Sequence, residues 1–163
     1  MQIREATDGD IDAIRRVAER SWEVDYPSIL TRETAEEAVS EWYDTDALAE
    51  AIAEGRTELL VAERDGEVVG FAHATWNATE AEGYILRLYV HPDHRSRGIG
   101  GELLERTRKA LSGYDVDRIH AMVLAENDPG NAFYERFGFE RADESETRIG
   151  EESYQENRYV LEL

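Results

Sequence analysis

The stretch LYVHPDHRSRGIGGELLERTRKAL, residues 88–111, decides how this chain is read. It opens on the end of an apolar strand and turns at His91-Pro92. It closes on a helix over 98–111 whose buried stripe is Ile99, Leu103, Leu104, Ala110 and Leu111, with Gly113 as the stop. Between strand and helix lie Gly98, Gly100 and Gly101, with Arg95 and Arg97 just before them. Five of the 18 Lys and Arg residues fall between Arg95 and Lys109, although the formal net charge is −19. A helix N-terminus leaves its first amides unpaired and partly positive. Glycines open those amides to a ligand, and two guanidinium groups add full charge. The combination suits a diphosphate. Each helix-terminus contact with an anion contributes roughly 0.3–1 kcal/mol when exposed, so several must act together. Arg106, Arg108 and Lys109 lie past the first turn and read as a solvated face paired with Glu102 and Glu105.

Working outward, IREA (3–6) reads as a first strand, and a helix starts near Asp8 with Ile11, Ile14, Val17, Ala18 and Trp22 at helical spacing. Pro27 stops or bends it. A second helix is expected from Thr31 to about Ala53, with turn formers in YDTDALAE able to split it. TELLVAER (57–64) and EVVGFAHATW (67–76) alternate around Asp65-Gly66, a two-residue hairpin signal. GYILRLYV (83–90) is the strand before the glycines, RIHAMVL (118–124) the strand after the helix, and PGNAFYERF (129–137) a short helix. Two strands close the chain at about 139–148 and 153–162. The helix at 98–111 links strands 83–90 and 118–124, which should therefore be parallel. Ligands in such sheets collect beyond the C-terminal ends of parallel strands, where the glycines stand. The expected class is α/β (α+β), a mixed, mostly antiparallel sheet with one parallel pair flanked by helices.

Composition bounds the rest. A chain of 163 residues with 41% hydrophobic content is expected to form one domain over 1–163. No charged-then-apolar leader precedes the first strand, and the apolar run YILRLYV is too short to cross a bilayer, so a soluble, cytoplasmic protein without a membrane partner is expected. Cysteine is absent, which excludes disulfides, thiolate metal sites and a cysteine nucleophile. Of the basic residues only Lys109 is lysine; dense carboxylate with so little lysine resembles proteins of salt-loving organisms. The same field repels phosphate backbones, so nucleic acid is not an expected partner. His91-Pro92-Asp93-His94 has metal-like spacing but lies in a turn without further ligands, and no metal is expected.

Spacing also sorts the glycine turn. A P-loop needs Lys-Ser or Lys-Thr after its last glycine, and neither dipeptide occurs; a dinucleotide loop needs a glycine where Leu103 stands. What remains is Arg95-Ser96-Arg97-Gly98-Ile99-Gly100 after Val90-His91-Pro92. In LYVHPDHRSRGIGGELL the chain resembles the GNAT superfamily of N-acetyltransferases at its acetyl-CoA pyrophosphate loop. The resemblance extends to AENDPGNAFYERFGF (125–139), similar to the second motif, in which an Asn precedes a helix carrying F-Y-E and ending in G-F. Element order carries it over essentially the whole chain. One departure is Gly130, where the family often has Ala.

That resemblance implies acetyl-CoA as acetyl donor. It implies a cofactor set of Leu88, Tyr89, Val90, Arg95, Ser96, Arg97, Gly98, Ile99, Gly100, Gly101, Asn127, Phe133 and Tyr134. Within it, amides from Arg97 to Gly101 hold the pyrophosphate, and the backbone of Leu88 and Val90 pairs with pantetheine as with an added strand. Such an arm enters only if strands 83–90 and 118–124 splay, through a bulge in the first. Asn127 bonds the pantetheine, and Tyr134 returns a proton to the departing thiolate. The implied activity is acetyl transfer to a primary amine by direct attack in a ternary complex, with a small amine or a peptide amine as acceptor. Acetylation of protein N-termini or lysines, and non-catalytic sensing of acyl-CoA, are the alternatives; a homodimer is compatible with the chain.

An amine with a pKa of about 10.4 is neutral only roughly once in 10³–10⁴ molecules at pH 7, so a base or a desolvating pocket is needed. Glu82 lies on the strand before the glycines and reads either as that base or as a solvated residue at a strand start. Tyr84 occupies the position where some family members carry a base and is a candidate acceptor contact. His73 is a second candidate base, and reads also as a satisfied, partly buried histidine. Trp22 and Tyr26, at i and i+4, either line the acceptor pocket or belong to the core.

Overall fold

The computed structural model describes residues 1–25, 45–53, 57–149 and 152–163. Its strands are β1 (Gln2–Glu5), β2 (Thr57–Arg64), β3 (Glu67–Asn77), β4 (Glu82–Val90), β5 (Arg118–Leu124), β6 (Glu140–Ile149) and β7 (Glu152–Glu162). The helices are α1 (Ile11–Asp25), α2 (Thr45–Ala53), α3 (Ile99–Ser112) and α4 (Asp128–Arg136), with 3₁₀ turns at Asp8–Asp10 and Pro92–His94. The strands form one sheet in the order β1-β2-β3-β4-β5-β7-β6. Every described neighbouring pair is antiparallel except β4 with β5, which α3 joins as a crossover.

Local chemistry explains most boundaries. Asp65 and Gly66 take φ of 53° and 79°, the left-handed pair that a tight hairpin between twisted strands requires. The first helix starts as a 3₁₀ turn at Asp8 and becomes α-helical at Ile11. Asp10 accepts from the Thr7 amide at 2.8 Å and from both Arg4 terminal nitrogens, at 2.8 and 3.0 Å. Those Arg4 bonds hold the Asp10 carboxyl below the usual carboxylate range. Gly138, at φ 91°, ends α4: its amide reaches Glu135 O and the Phe139 amide reaches Tyr134 O. Of the long helix expected over 31–53, Thr45–Ala53 is helical; Tyr26, Pro27 and 31–44 lie outside the described residues.

The sheet has two buried faces. On one, α1 lays Ile14, Val17, Ala18 and Trp22 over Leu59, Val61, Phe71 and Leu124. On the other, α3 and α4 cover Ile85, Ile119, Ala121 and Val123 with Leu104, Leu111 and Tyr134, while Ile99 and Leu103 cover Leu60, Ala62 and Ala72. Alternation along each strand sends successive side chains to opposite faces, which is why Leu60 and Val61 serve different clusters. The outer strand β6 is exposed over nearly its whole length and carries charges throughout, which guards the open edge against further pairing. No described helix is long and apolar enough to cross a membrane.

Candidate active site

The site begins with a break in pairing. β4 and β5 pair from Glu82↔Arg118 to Ile85↔Ala121 and no further, although both strands continue. The cause is local: His73 of β3 faces Arg87 and Ala74 faces Ile85, so Leu86 is an extra residue in β4. Such a bulge bends its strand. Beyond it β4 follows β3 and parts from β5, opening a cavity of about 580 Å³. That volume lies within the range of small-molecule sites.

The freed edge is polar backbone. The His91 amide donates to Val69 O of β3, so by alternation the backbone groups of Leu88 and Val90 face away from β3, into the gap. Val90 O is partly engaged, accepting from Ser21 Oγ at 3.3 Å and Arg95 Nε at 3.1 Å. At the C-terminal end of β4, Ser96 and Gly98 take φ of 63° and 81° and swing the chain into α3. The first bond inside that helix runs from the Glu102 amide to Gly98 O. The amides of Ile99, Gly100 and Gly101 therefore precede the helical ladder and end on the cavity.

The three glycines have different reasons. Gly98 needs its positive φ, and nothing lies within 4 Å of a Cβ placed there. A Cβ on Gly100 would stand 3.2 Å from Phe133 Cε2, and one on Gly101 would stand 2.6 Å from Phe137 Cζ. Gly100 and Gly101 thus serve the close approach of α3 to α4, besides keeping the amides bare. The arginines also divide. Arg95 makes a two-pronged ion pair with Asp25 at 2.5 and 2.9 Å, so its charge is compensated and it ties the end of α1 to the turn. Arg97 is exposed and is not part of the cavity wall. Arg136 of α4 lines the wall together with Arg87 and Arg95, and is seated over Phe133 and Phe137 at 6.0 and 5.4 Å.

α4 is positioned from its first turn. Asn127 Oδ1 accepts from the Gly130 amide at 3.1 Å. A Cβ on Gly130 would stand 2.7 Å from Asn127 Nδ2, so glycine suits this cap, whereas alanine would push the amide aside. Asn131 is the hub: its Nδ2 donates to Leu124 O and Asn127 O, and its Oδ1 accepts from Asn157 Nδ2 and Tyr159 Oη at 2.8 and 2.7 Å. This places Tyr134 against Phe139 and Tyr159, on the cavity wall. Its hydroxyl has no hydrogen-bond partner among the described residues. Burial first, and Tyr89 second, push its phenol well above the ordinary value, so it stays protonated at neutral pH.

Trp22 also lines the cavity, donating from Nε1 to Tyr89 Oη at 3.0 Å. Glu82, Tyr84 and His73 do not. Glu82, at the far end of β4, accepts from Arg118, Tyr84 and His120, while Tyr84 stacks on His120. His73 accepts at Nδ1 from Arg87 at 3.2 Å; burial, then Arg87, lower its pKa to about 4. Among the described residues, the carboxylate that does reach the cavity, besides Asp25, is Glu156 of β7. Asn131 lies within the second motif but takes no role from it, while Glu156 is one of many acids in EESYQENRY, and only the β5–β7 register shows where it points.

A sheet opened beside a bare helix N-terminus, with a phenol at the inner end, defines a coenzyme A-dependent acyltransferase. Comparison with known proteins agrees. The model of the acetyltransferase (GNAT) family matches residues 12–139, and the chain belongs to that family. It is 29% identical to a spermidine N(1)-acetyltransferase of Thermoplasma acidophilum over 88% of this chain and 90% of the relative. It is 32% identical to an acetyltransferase of Pectobacterium atrosepticum over 73% of this chain and 84% of the relative. Among solved structures it is similar to the PaiA N-acetyltransferase of T. acidophilum in complex with coenzyme A, with TM-score 0.84 and 26% identity over 97% and 98% of the two chains. The protein is an N-acetyltransferase with the GNAT fold, and acetyl-CoA is its donor.

Proposed function

We propose that this enzyme acetylates the primary amine of a small cationic acceptor, of which a polyamine such as spermidine is the leading example, by direct attack in a ternary complex. The observation that carries the reading is the β4–β5 gap, which runs from the amides of Ile99–Gly101 past the free edge of Leu88 and Val90 to Tyr134. Acetyl-CoA supplies an activated thioester. The α3 amides and Arg136 hold its anionic end, with Arg97 adding charge at the mouth. Asn127 keeps Nδ2 for the pantetheine, and Tyr134 gives its proton to the sulfur. Without cysteine, no thiol nucleophile competes with direct attack. The choice of a cationic acceptor rests on the net charge of −19, on the carboxylates in the cavity wall and on the named activity of the T. acidophilum relative. One catalytic domain over 1–163 and adaptation to high salt complete the proposal.

Thiol release from acetyl-CoA tests it, using spermidine, putrescine, free amino acids and a short N-terminal peptide. Release well above hydrolysis with the polyamines is expected. Turnover confined to the peptide would replace the acceptor class, and release with none would remove amine acetylation.

A further inference from the structure

We propose that Glu156 is the catalytic base, taking the proton of the acceptor's ammonium group inside the cavity. The inference rests on the amine-acetylation reading and adds a group that no motif marks.

Placement comes first. Glu156 pairs with Leu124 of β5 and Ser145 of β6, so its side chain emerges on the same face as theirs. That is the α1 face, since Leu124 and Tyr154 belong with Trp22 and Phe71, while Tyr159 belongs with Tyr134 on the other. The proton donor Tyr134 and the carboxylate Glu156 therefore reach the gap from opposite faces of the sheet. An amine arriving under α1 meets Glu156 before the gap, and Tyr134 stands on the leaving-group side.

Surroundings come second. Glu156 has no hydrogen-bond or ion-pair partner among the described residues, whereas Asp25, the other carboxylate on the cavity wall, is paired with Arg95. The charged and titratable neighbours that share its face are engaged elsewhere. Tyr154 donates to Glu152, and Arg158 bonds Asp143 and His120. From β4, Arg87 donates to His73 and Tyr89 accepts from Trp22. From α1, Asp25 is paired with Arg95. Met122 and Leu124 on β5, and Ser145 and Thr147 on β6, carry no charge, and Glu126 after β5 is exposed. Burial alone raises the Glu156 carboxyl above its ordinary value. A carboxylate left half-buried and unpaired is costly, which suits a group awaiting a cation.

The step balances. One ammonium proton passes to a Glu156 carboxylate oxygen and on to solvent. The amine nitrogen then bonds the acetyl carbon and the carbon–sulfur bond breaks. Tyr134 protonates the sulfur, and the second proton leaving nitrogen restores the phenol. The sum is one amide, one thiol and one released proton.

The test is the pH profile of thiol release for wild type, Glu156→Gln, Glu156→Asp and His94→Gln, with the fastest amine of the panel. His94 is included because it also lines the cavity and its Nδ1 is buried without a partner. Glu156→Gln should lower kcat/KM by about 10²–10⁴ at neutral pH. It should also remove the acidic inflection set by the carboxylate and leave a rate that rises with the free amine, so the deficit should narrow toward pH 10. Glu156→Asp should keep the limb. The melting temperature of Glu156→Gln should stay level or rise, because the unpaired charge is gone, and acetyl-CoA affinity should hold. Retained kcat/KM, an unchanged acidic limb, a rise in KM alone, or loss of the limb in His94→Gln but not in Glu156→Gln would overturn the assignment. An active wild type beside an indifferent Glu156→Gln sinks this inference alone; a wild type inert with every amine sinks amine acetylation and this inference with it.

Discussion

Tyr134 presents to the cavity a hydroxyl that no described residue binds, inside a shell of Phe133, Phe139 and Tyr159. An ordinary thiol titrates near 8.5 and a phenol near 10, so a phenol protonates a thiolate readily only where desolvation also raises the thiol; this apolar shell acts on both. Tyr134→Phe should therefore reduce kcat by about 10²-fold or more while acetyl-CoA affinity holds, read by steady-state thiol release and calorimetry. Because the lost hydroxyl leaves no stranded partner, the melting temperature should not fall. Equal turnover would remove Tyr134 from the chemistry. His73 gives a stability prediction instead. Its pKa is about 4 in the fold against 6.5 for the free side chain, so between those values the unfolded chain holds a proton that the folded one lacks. Stability must then fall as pH drops through that window, by about 3 kcal/mol at most for this group. Denaturant titrations at both ends of the window should show a smaller loss in His73→Gln; an equal loss would place the acid sensitivity elsewhere.

Among elements, the close approach of α3 to α4 sets how the glycine turn meets Phe133 and Phe137. Gly101 lets Phe137 sit where a side chain would otherwise stand, so Gly101→Val should destabilise by about 1–3 kcal/mol through overpacking. Each kcal/mol is worth about 2–4 °C of melting temperature in a protein of this size. An unchanged melting temperature would show that the Phe137 ring swings aside freely. Much at this scale was legible from spacing. The hairpin at Asp65-Gly66, the strand at 118–124 and the crossover helix follow from alternation, helical period and turn chemistry. The Leu86 bulge was expected only through resemblance, since GYILRLYV alternates no differently on either side of it. The reason for Gly100 and Gly101 was half visible: bare amides could be read from the chain, but the rings facing them come from α4, more than thirty residues later. Arg95 looked like a phosphate ligand for the same reason, because its partner Asp25 is 70 positions earlier. The place of Glu156 on the cavity wall and the bonds of Asn131 to Asn157 and Tyr159 were hidden because they exist only once β7 lies beside β5.

For the molecule as a whole, 37 acidic residues against 18 basic ones make self-repulsion the dominant surface term at low salt. Raising KCl from about 0.1 M to about 1 M shortens the screening length from ~10 to ~3 Å, so the melting temperature should climb by several degrees. A flat or falling response would separate the acidity from any salt adaptation. The same field would draw a cationic acceptor, as proposed above, toward the cavity in dilute buffer and would do so less as salt rises. Everything functional still depends on where the donor sits. A crystal structure with coenzyme A bound measures that most directly. The diphosphate should lie on the amides of Ile99–Gly101, and the pantetheine arm should run along the free edge of Leu88 and Val90 toward Tyr134. A coenzyme bound on another surface, with β4 and β5 closed against each other beyond Ile85, would contradict the account.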